Sequence, residues 1–279
     1  MVRRSLLLCA ALALLGASCD AELSPGATVL QAAQQTRAEG SARVSYRALF
    51  DVASTSEPVP LTGEGLFDYG RKRGRMVFNM AGLLTSEEAS ETADEVEMIV
   101  DGLVLYLQMP FLAEMLPDSR PWLKVDLEAA ARANRTDLVQ FTQLGQGDPT
   151  QALELLRGVT RRVEEVGREQ VRDTSTTHYR TILDLARVAE DTPAETAASV
   201  QSLLARSRSR EVEADVWVDA DGRLRRMRYS VPLGSEPGSA QTSATAMAVT
   251  MELYDFGVSV DVTPPSEDHV IDLLGLSQQ

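Results

Sequence analysis

Side chains able to do chemistry are few. His178 and His269 are the only histidines, and Cys9 and Cys19 the only cysteines, so His/Cys metal clusters and a disulfide framework are nearly excluded at the outset. His178 lies in Thr176-Thr177-His178-Tyr179-Arg180, where strand alternation sends Thr177 and Tyr179 one way and His178 and Arg180 the other. Without a partner triad it reads as a solvated or hydrogen-bonded structural residue rather than a general base. His269 follows the acidic Pro264-Pro265-Ser266-Glu267-Asp268 and is a weaker candidate still. Asp219, Asp221 and Gly222 begin like a calcium loop but lack the distal Glu, so a hairpin turn explains them better. Asn134-Arg135-Thr136 matches a glycosylation sequon and reads as accidental. Ser and Asp are plentiful but the candidate bases are poor, which makes a hydrolase the weakest functional reading. No catalytic residue, metal or cofactor is expected, and the chain is expected not to be an enzyme.

Cys19 suggests a different chemistry. Arg3 and Arg4, an apolar run from Ser5 to Leu15, and the exit Gly16-Ala17-Ser18-Cys19 are the parts of a secretory signal. The run is too short to span a membrane, which takes about twenty apolar residues. Leu15-Gly16-Ala17-Ser18-Cys19 resembles the bacterial lipobox, in which the Cys is acylated and becomes the new amino terminus. Several acyl chains anchor a protein where a single one holds it only marginally. The expected organisation is a signal peptide over 1–18, a lipidated tether over 19–24 and one domain over 25–279. Cleavage leaves no thiol except the one that carries the lipid.

The net charge is −14, and loss of Arg3 and Arg4 makes it −16. That field repels nucleic acid and anionic lipid surfaces. The expected location is the outer face of the cytoplasmic membrane, extracytoplasmic and lipid-anchored.

The elements that position these residues follow from periodicity. Ser24-Pro25, then Val29, Leu30 and Ala33, then Gly40, spell a capped helix. Alternation then predicts ten strands: 43–50, 65–69, 75–80, 96–100, 103–109, 163–171, 176–183, 212–218, 223–231 and 248–256. Asp101-Gly102 and Asp221-Gly222 supply hairpin turns. Asp148-Pro149-Thr150-Gln151 and Thr192-Pro193-Ala194-Glu195 open further helices, and Leu127 to Leu144 is helical in pattern. Met109 to Pro117, bounded by two prolines, reads as a connector or a lip over a cavity mouth.

Together the lipobox, Val100-Asp101-Gly102-Leu103-Val104-Leu105-Tyr106-Leu107, Trp122-Leu123-Lys124-Val125-Asp126, Thr176 to Arg180 and Val216-Trp217-Val218-Asp219-Ala220-Asp221-Gly222 resemble the actinobacterial LppX/LprG-type lipoproteins. Their fold is shared with the LolA and LolB carriers. The resemblance implies an α+β fold: a single strongly curved antiparallel sheet, an incomplete barrel, with helices covering its concave face around an apolar cavity. It also implies acyl-chain binding and transfer of lipids or glycolipids in the cell envelope, with an envelope transporter or lipoprotein as a further partner.

The first strand block supplies apolar side chains in phase for such a cavity: Tyr46, Phe50, Phe67, Met76, Phe78, Met80, Met98, Val100, Leu105, Leu107 and Met109. Burying an acyl chain yields about 0.8 kcal/mol per methylene and needs flexible or aromatic walls rather than catalytic groups. The same residues would equally fill a solid core. The alternative function is therefore an envelope interaction or signalling ectodomain whose cavity is filled.

Overall fold

The computed structural model describes residues 23–52, 55–80, 95–110, 121–133, 149–191, 200–201, 203–205, 207–233 and 244–276. The leader with Cys19, the 134–136 sequon and the 192–195 capping sequence lie outside them, as does the 111–117 part of the proline-bounded segment. Among the described residues no helix is long and apolar enough to cross a membrane.

Helix α1 (Pro25–Ala38) forms where the sequence predicts it. Ser24 Oγ accepts from the Ala27 amide, and Pro25 sits in the first turn, where it needs no hydrogen-bond donor. The strands follow as β1 (Ser41–Val52), β2 (Val59–Asp68), β3 (Arg73–Asn79), β4 (Glu95–Asp101), β5 (Val104–Gln108) and β6 (Trp122–Asp126). Next come helices α2 (Leu127–Arg132) and α3 (Pro149–Leu155), a 3₁₀ turn over Leu156–Gly158, β7 (Val159–Val171), β8 (Thr174–Asp184) and α4 (Leu185–Asp191). The chain ends with β9 (Glu211–Asp219), β10 (Leu224–Pro232), β11 (Ala244–Tyr254), β12 (Val270–Asp272) and α5 (Leu273–Leu276).

All twelve strands form one sheet, ordered β12-β6-β5-β4-β3-β2-β1-β11-β10-β9-β8-β7, with β12 and β7 as open edges. Laid flat it would be about 50 Å wide at ordinary strand spacing. Instead its inner residues share one apolar cluster that runs from Ile271 and Leu123 at one edge to Val159 and Tyr179 at the other. The sheet is therefore bent around its own core, an open α+β arrangement.

The pairing of β2 with β3 indicates where the bend is eased. Their inward-facing pairs are Gly63 with Phe78, Gly65 with Met76, and Phe67 with Gly74. In each pair one partner has no side chain and the other lies across it. A Cβ on Gly63 would stand 2.5 Å from the Phe78 ring, and one on Gly74 would stand 2.4 Å from Phe67. Removing half the side-chain volume from the inner surface lets two strands curl toward the concave side without crowding.

One edge departs from the expected all-antiparallel sheet. Strand β12 pairs parallel with β6, Val270 beside Trp122 and Ile271 beside Leu123. The cause is the connection. Gly257 N donates to Ser41 O and Ser41 Oγ to Val258 O, fixing the chain at the start of β1, and the segment that follows brings β12 in beside β6 at the far side of the sheet. Parallel neighbours need such a long return.

Helix α1 buries Val29, Ala32, Ala33 and Thr36 and packs against β7, β9 and β10. Thr36 Oγ1 donates to Ala32 O at 2.7 Å and accepts the Leu224 amide at 2.8 Å, which closes a buried polar group and pins the helix to the start of β10. Helix α4 packs on α3 and the 3₁₀ turn, and α5 on β6.

Candidate functional site

Alternation in the strands gives the concave face its chemistry. One row of inward neighbours crosses eight strands, Val96, Phe78, Gly63, Tyr46, Met251, Met227, Val216 and Tyr179, and ends at the exposed Glu165 on β7. A parallel row carries Leu61, Ala48, Val249, Tyr229, Ala214 and Thr181. Met76 and Met98 are paired on one side, Met227 and Met251 on the other, so thioethers flank the central strand on both sides. Such unbranched, polarisable side chains adapt to irregular apolar shapes.

Tyr46 sits in the middle of this surface. Phe78 reaches across Gly63 to meet its ring edge-on, with centroids 6.1 Å apart. The tyrosine is 2% exposed, and its hydroxyl is buried with no hydrogen-bond partner among the described residues. Burial, and then the neighbouring Tyr229, push its ionisation well above the ordinary phenol value, so the group stays a neutral donor and acceptor. Burial likewise pushes Tyr229 up. Folded proteins pair nearly all buried polar atoms, because an unmet one costs about 1–3 kcal/mol.

The structure brings all eleven sequence-derived lining residues into one apolar cluster. Tyr46, Phe67, Met76, Phe78, Met98, Val100, Leu105, Leu107 and Met109 are buried in it, and Phe50 and Met80 pack against it partly buried. Met227, Tyr229, Met247 and Met251 occupy the same cluster and are absent from the sequence-derived set. Their inward phase was readable from alternation, but their meeting with Tyr46 depends on the β1–β11 pairing, which joins Tyr46 to Met251 across the sequence.

The convex face carries a different assembly. His178 points outward from β8, 4% exposed. Its Nδ1 is 2.9 Å from Glu169 Oε1 on β7, and its Nε2 is 2.8 Å from Asp215 Oδ1 on β9. The ring stacks on Trp217, with centroids 4.3 Å apart and planes 12° apart, and Trp217 Nε1 donates to the second oxygen of Glu169 at 2.8 Å. Arg228 donates to Asp215 Oδ2 at 2.7 Å, and Arg226 pairs with Glu252 at 2.6 Å; both guanidinium groups lie over Trp217.

Bonds from Trp217 and His178 hold the Glu169 carboxyl below its ordinary range. Burial opposes ionisation of Asp215, but hydrogen bonds from Arg228 and His178 outweigh it and hold that carboxyl low as well. The sequence reading gave His178 no partner; the fold gives it two. With a carboxylate against each ring nitrogen, neither nitrogen is left to take a proton from a nucleophile.

At the β9–β10 turn, Asp219 accepts from the Asp221 and Arg223 amides and from the Arg223 and Arg225 guanidinium groups. That is a hairpin turn, as the sequence predicts. Among the described residues no three His, Cys, Asp or Glu side chains converge as metal ligands. A shallow groove of about 300 Å³ opens by the β7 edge, lined by Arg162, Val163, Glu164, Arg180, Thr181, Ile182 and Glu213. It is a separate, largely charged feature.

Fold and face together define an open, curved α+β sheet with an apolar, methionine-rich interior. Several solved structures resemble it. Lipoprotein LppX of Mycobacterium tuberculosis matches 84% of this chain and 98% of its own at 15% identity, with a TM-score of 0.45. LprF from Mycobacterium bovis matches 87% and 98% at 13% identity and 0.46. A LolA superfamily protein from Nitrosomonas europaea matches 86% and 96% at 9% identity and 0.33. No family model matches the sequence, and no curated protein matches it.

Proposed function

We propose that the chain is a lipid-anchored extracytoplasmic protein that takes acyl chains of a lipid or glycolipid against the concave face of its sheet and carries or transfers them within the cell envelope. The observation that carries this reading is the unpartnered hydroxyl of Tyr46 among apolar, methionine-rich neighbours. An acyl chain would be held by burial alone, and its ester or hydroxyl oxygen would complete the Tyr46 hydroxyl. The lipobox-like exit at Cys19 and the resemblance of the sequence motifs to LppX/LprG-type lipoproteins support the anchor and the ligand class.

The reading predicts that protein stripped of bound lipid takes up a fluorescent fatty acid, cis-parinaric acid, and that phospholipid vesicles compete for it. No saturable uptake by stripped protein would overturn it.

A second reading has its own observation. Phe78, Met76 and Phe67 already fill the space above Gly63, Gly65 and Gly74, as expected of an interaction or signalling ectodomain with a solid core. Alanine at Phe78 or Met76 separates the two. A solid core loses about 2–5 kcal/mol of stability at such a site, whereas a ligand wall loses less stability and more uptake.

A further inference from the structure

Both ring nitrogens of His178 face carboxylates within hydrogen-bond distance. An ionised carboxylate only accepts, and an imidazole donates from both nitrogens only when protonated. Only the imidazolium form can donate to both carboxylates at once. Charged groups reach the ring from each element around it. Glu169 comes from β7 and Asp215 from β9; Arg180 on the same strand lies 3.3 Å from Asp215, and Arg228 and Arg226 come from β10. Glu252 of β11 neutralises Arg226 and also Arg172, which follows β7.

A neutral ring keeps one N–H, so one of its two contacts becomes lone pair against carboxylate. Asp215 is the fixed side: it is 15% exposed and held by Arg228 and Arg180. Glu169 is the less fixed side: it is 45% exposed on the edge strand and held, apart from the ring, by the single N–H of Trp217. The bond to β7 is the one that must fail.

That loss falls on an edge strand, which is held to the sheet from one side among the described residues. Strand β7 has a single strand neighbour, and its ladder to β8 is interrupted between Val159 and Val163 and again between Glu165 and Gly167. The N-terminal part of α1 packs on the same strand, with Gly26 facing Val163.

We propose that His178, Glu169 and Asp215 form a proton-dependent latch on the convex face, closed when the imidazole is charged and released from β7 when it is neutral, loosening the edge strand and the helix packed on it. The latch answers to the pH outside the cytoplasm and acts on the elements covering one end of the concave face. It uses no group from the interior.

The test compares ring protonation with local opening in the intact mature protein. Nitrogen chemical shifts of the His178 ring fix the pH range over which it titrates. Amide hydrogen exchange, corrected for its intrinsic pH dependence, is then followed for 159–171 and 25–38, with β9 as the internal reference. Protection of β7 is expected to fall about tenfold as the ring becomes neutral, with β9 unchanged. Glu169→Gln keeps an oxygen for the Trp217 N–H and turns an NH2 toward the neutral ring, so neutralisation no longer costs the bond to β7 and the step should vanish while the fold is kept. His178→Asn should remove it too. A wild-type protein without a step across the His178 titration overturns the proposal. So does a step that persists in Glu169→Gln, whatever His178→Asn does.

Discussion

Replacing Tyr46 with Phe removes one oxygen and leaves the ring against Phe78 and Met251. That hydroxyl is buried and makes no hydrogen bond to any of the described residues, so on this account the ligand-free fold carries its desolvation penalty without return. The penalty for an unmet buried group is about 1–3 kcal/mol. For a domain of this size, each kcal/mol moves the melting temperature by about 2–4 °C. Tyr46→Phe should therefore raise the melting temperature of stripped protein by about 2–12 °C. Binding should move the other way. If a ligand oxygen completes the hydroxyl, the variant loses a net hydrogen bond worth about 0.5–1.5 kcal/mol and binds about two- to tenfold more weakly.

Calorimetry of the stripped protein and a titration with cis-parinaric acid measure the two effects separately. A lower melting temperature in the variant would mean that the hydroxyl is already paired within the fold. The argument from Tyr46 would then fail.

Other outcomes follow from the same geometry. Gly65→Ala places a Cβ 2.0 Å from the Arg75 carbonyl oxygen, so urea unfolding should show a loss of about 2 kcal/mol or more. Asp184, Asp215 and Asp219 are all held below the ordinary aspartate value of 3.8, so their stabilisation is complete above that pH and is lost as pH falls through the lower folded values. Unfolding midpoints should drop steeply below about pH 4, and Asp219→Asn should start lower and fall less steeply over that range. Cys19→Ser should move the protein from the membrane to the soluble fraction of the envelope and abolish incorporation of labelled palmitate. A variant that stays on the membrane would remove the tether from the account.

Strand alternation carried most of the architecture, because half-buried strands print their two faces directly on the sequence. The ten segments predicted from it are β1–β5 and β7–β11. Strand β6 is too short for alternation to mark it: between Pro121 and α2, only Leu123 and Val125 point inward. Strand β12, three residues long, has no period to read. The start of β2 was missed at Pro60, which pairs outward with Leu49 where a proline reads as a break. Helix α4 left a signal that went unused, since Asp184 Oδ1 accepts from the amides of Ala186 and Arg187 as a capping aspartate does.

The interior was legible by phase, but not by partner. Which inward residues meet depends on pairings distant in sequence, such as β1 with β11. His178 illustrates the same limit. Glu169 lies across the β7–β8 hairpin and is nearly visible in the sequence, whereas Asp215 arrives from β9 only through the β8–β9 pairing.

The claim that the sheet holds a lipid is met most directly by weighing the protein as cells deliver it. Native mass spectrometry of the mature domain, secreted without its anchor and never exposed to detergent, should find a population heavier than the polypeptide by the mass of a lipid, which collisional activation releases as an identifiable acyl-bearing molecule. A single species at the polypeptide mass under the same gentle conditions would leave the concave face as an ordinary core.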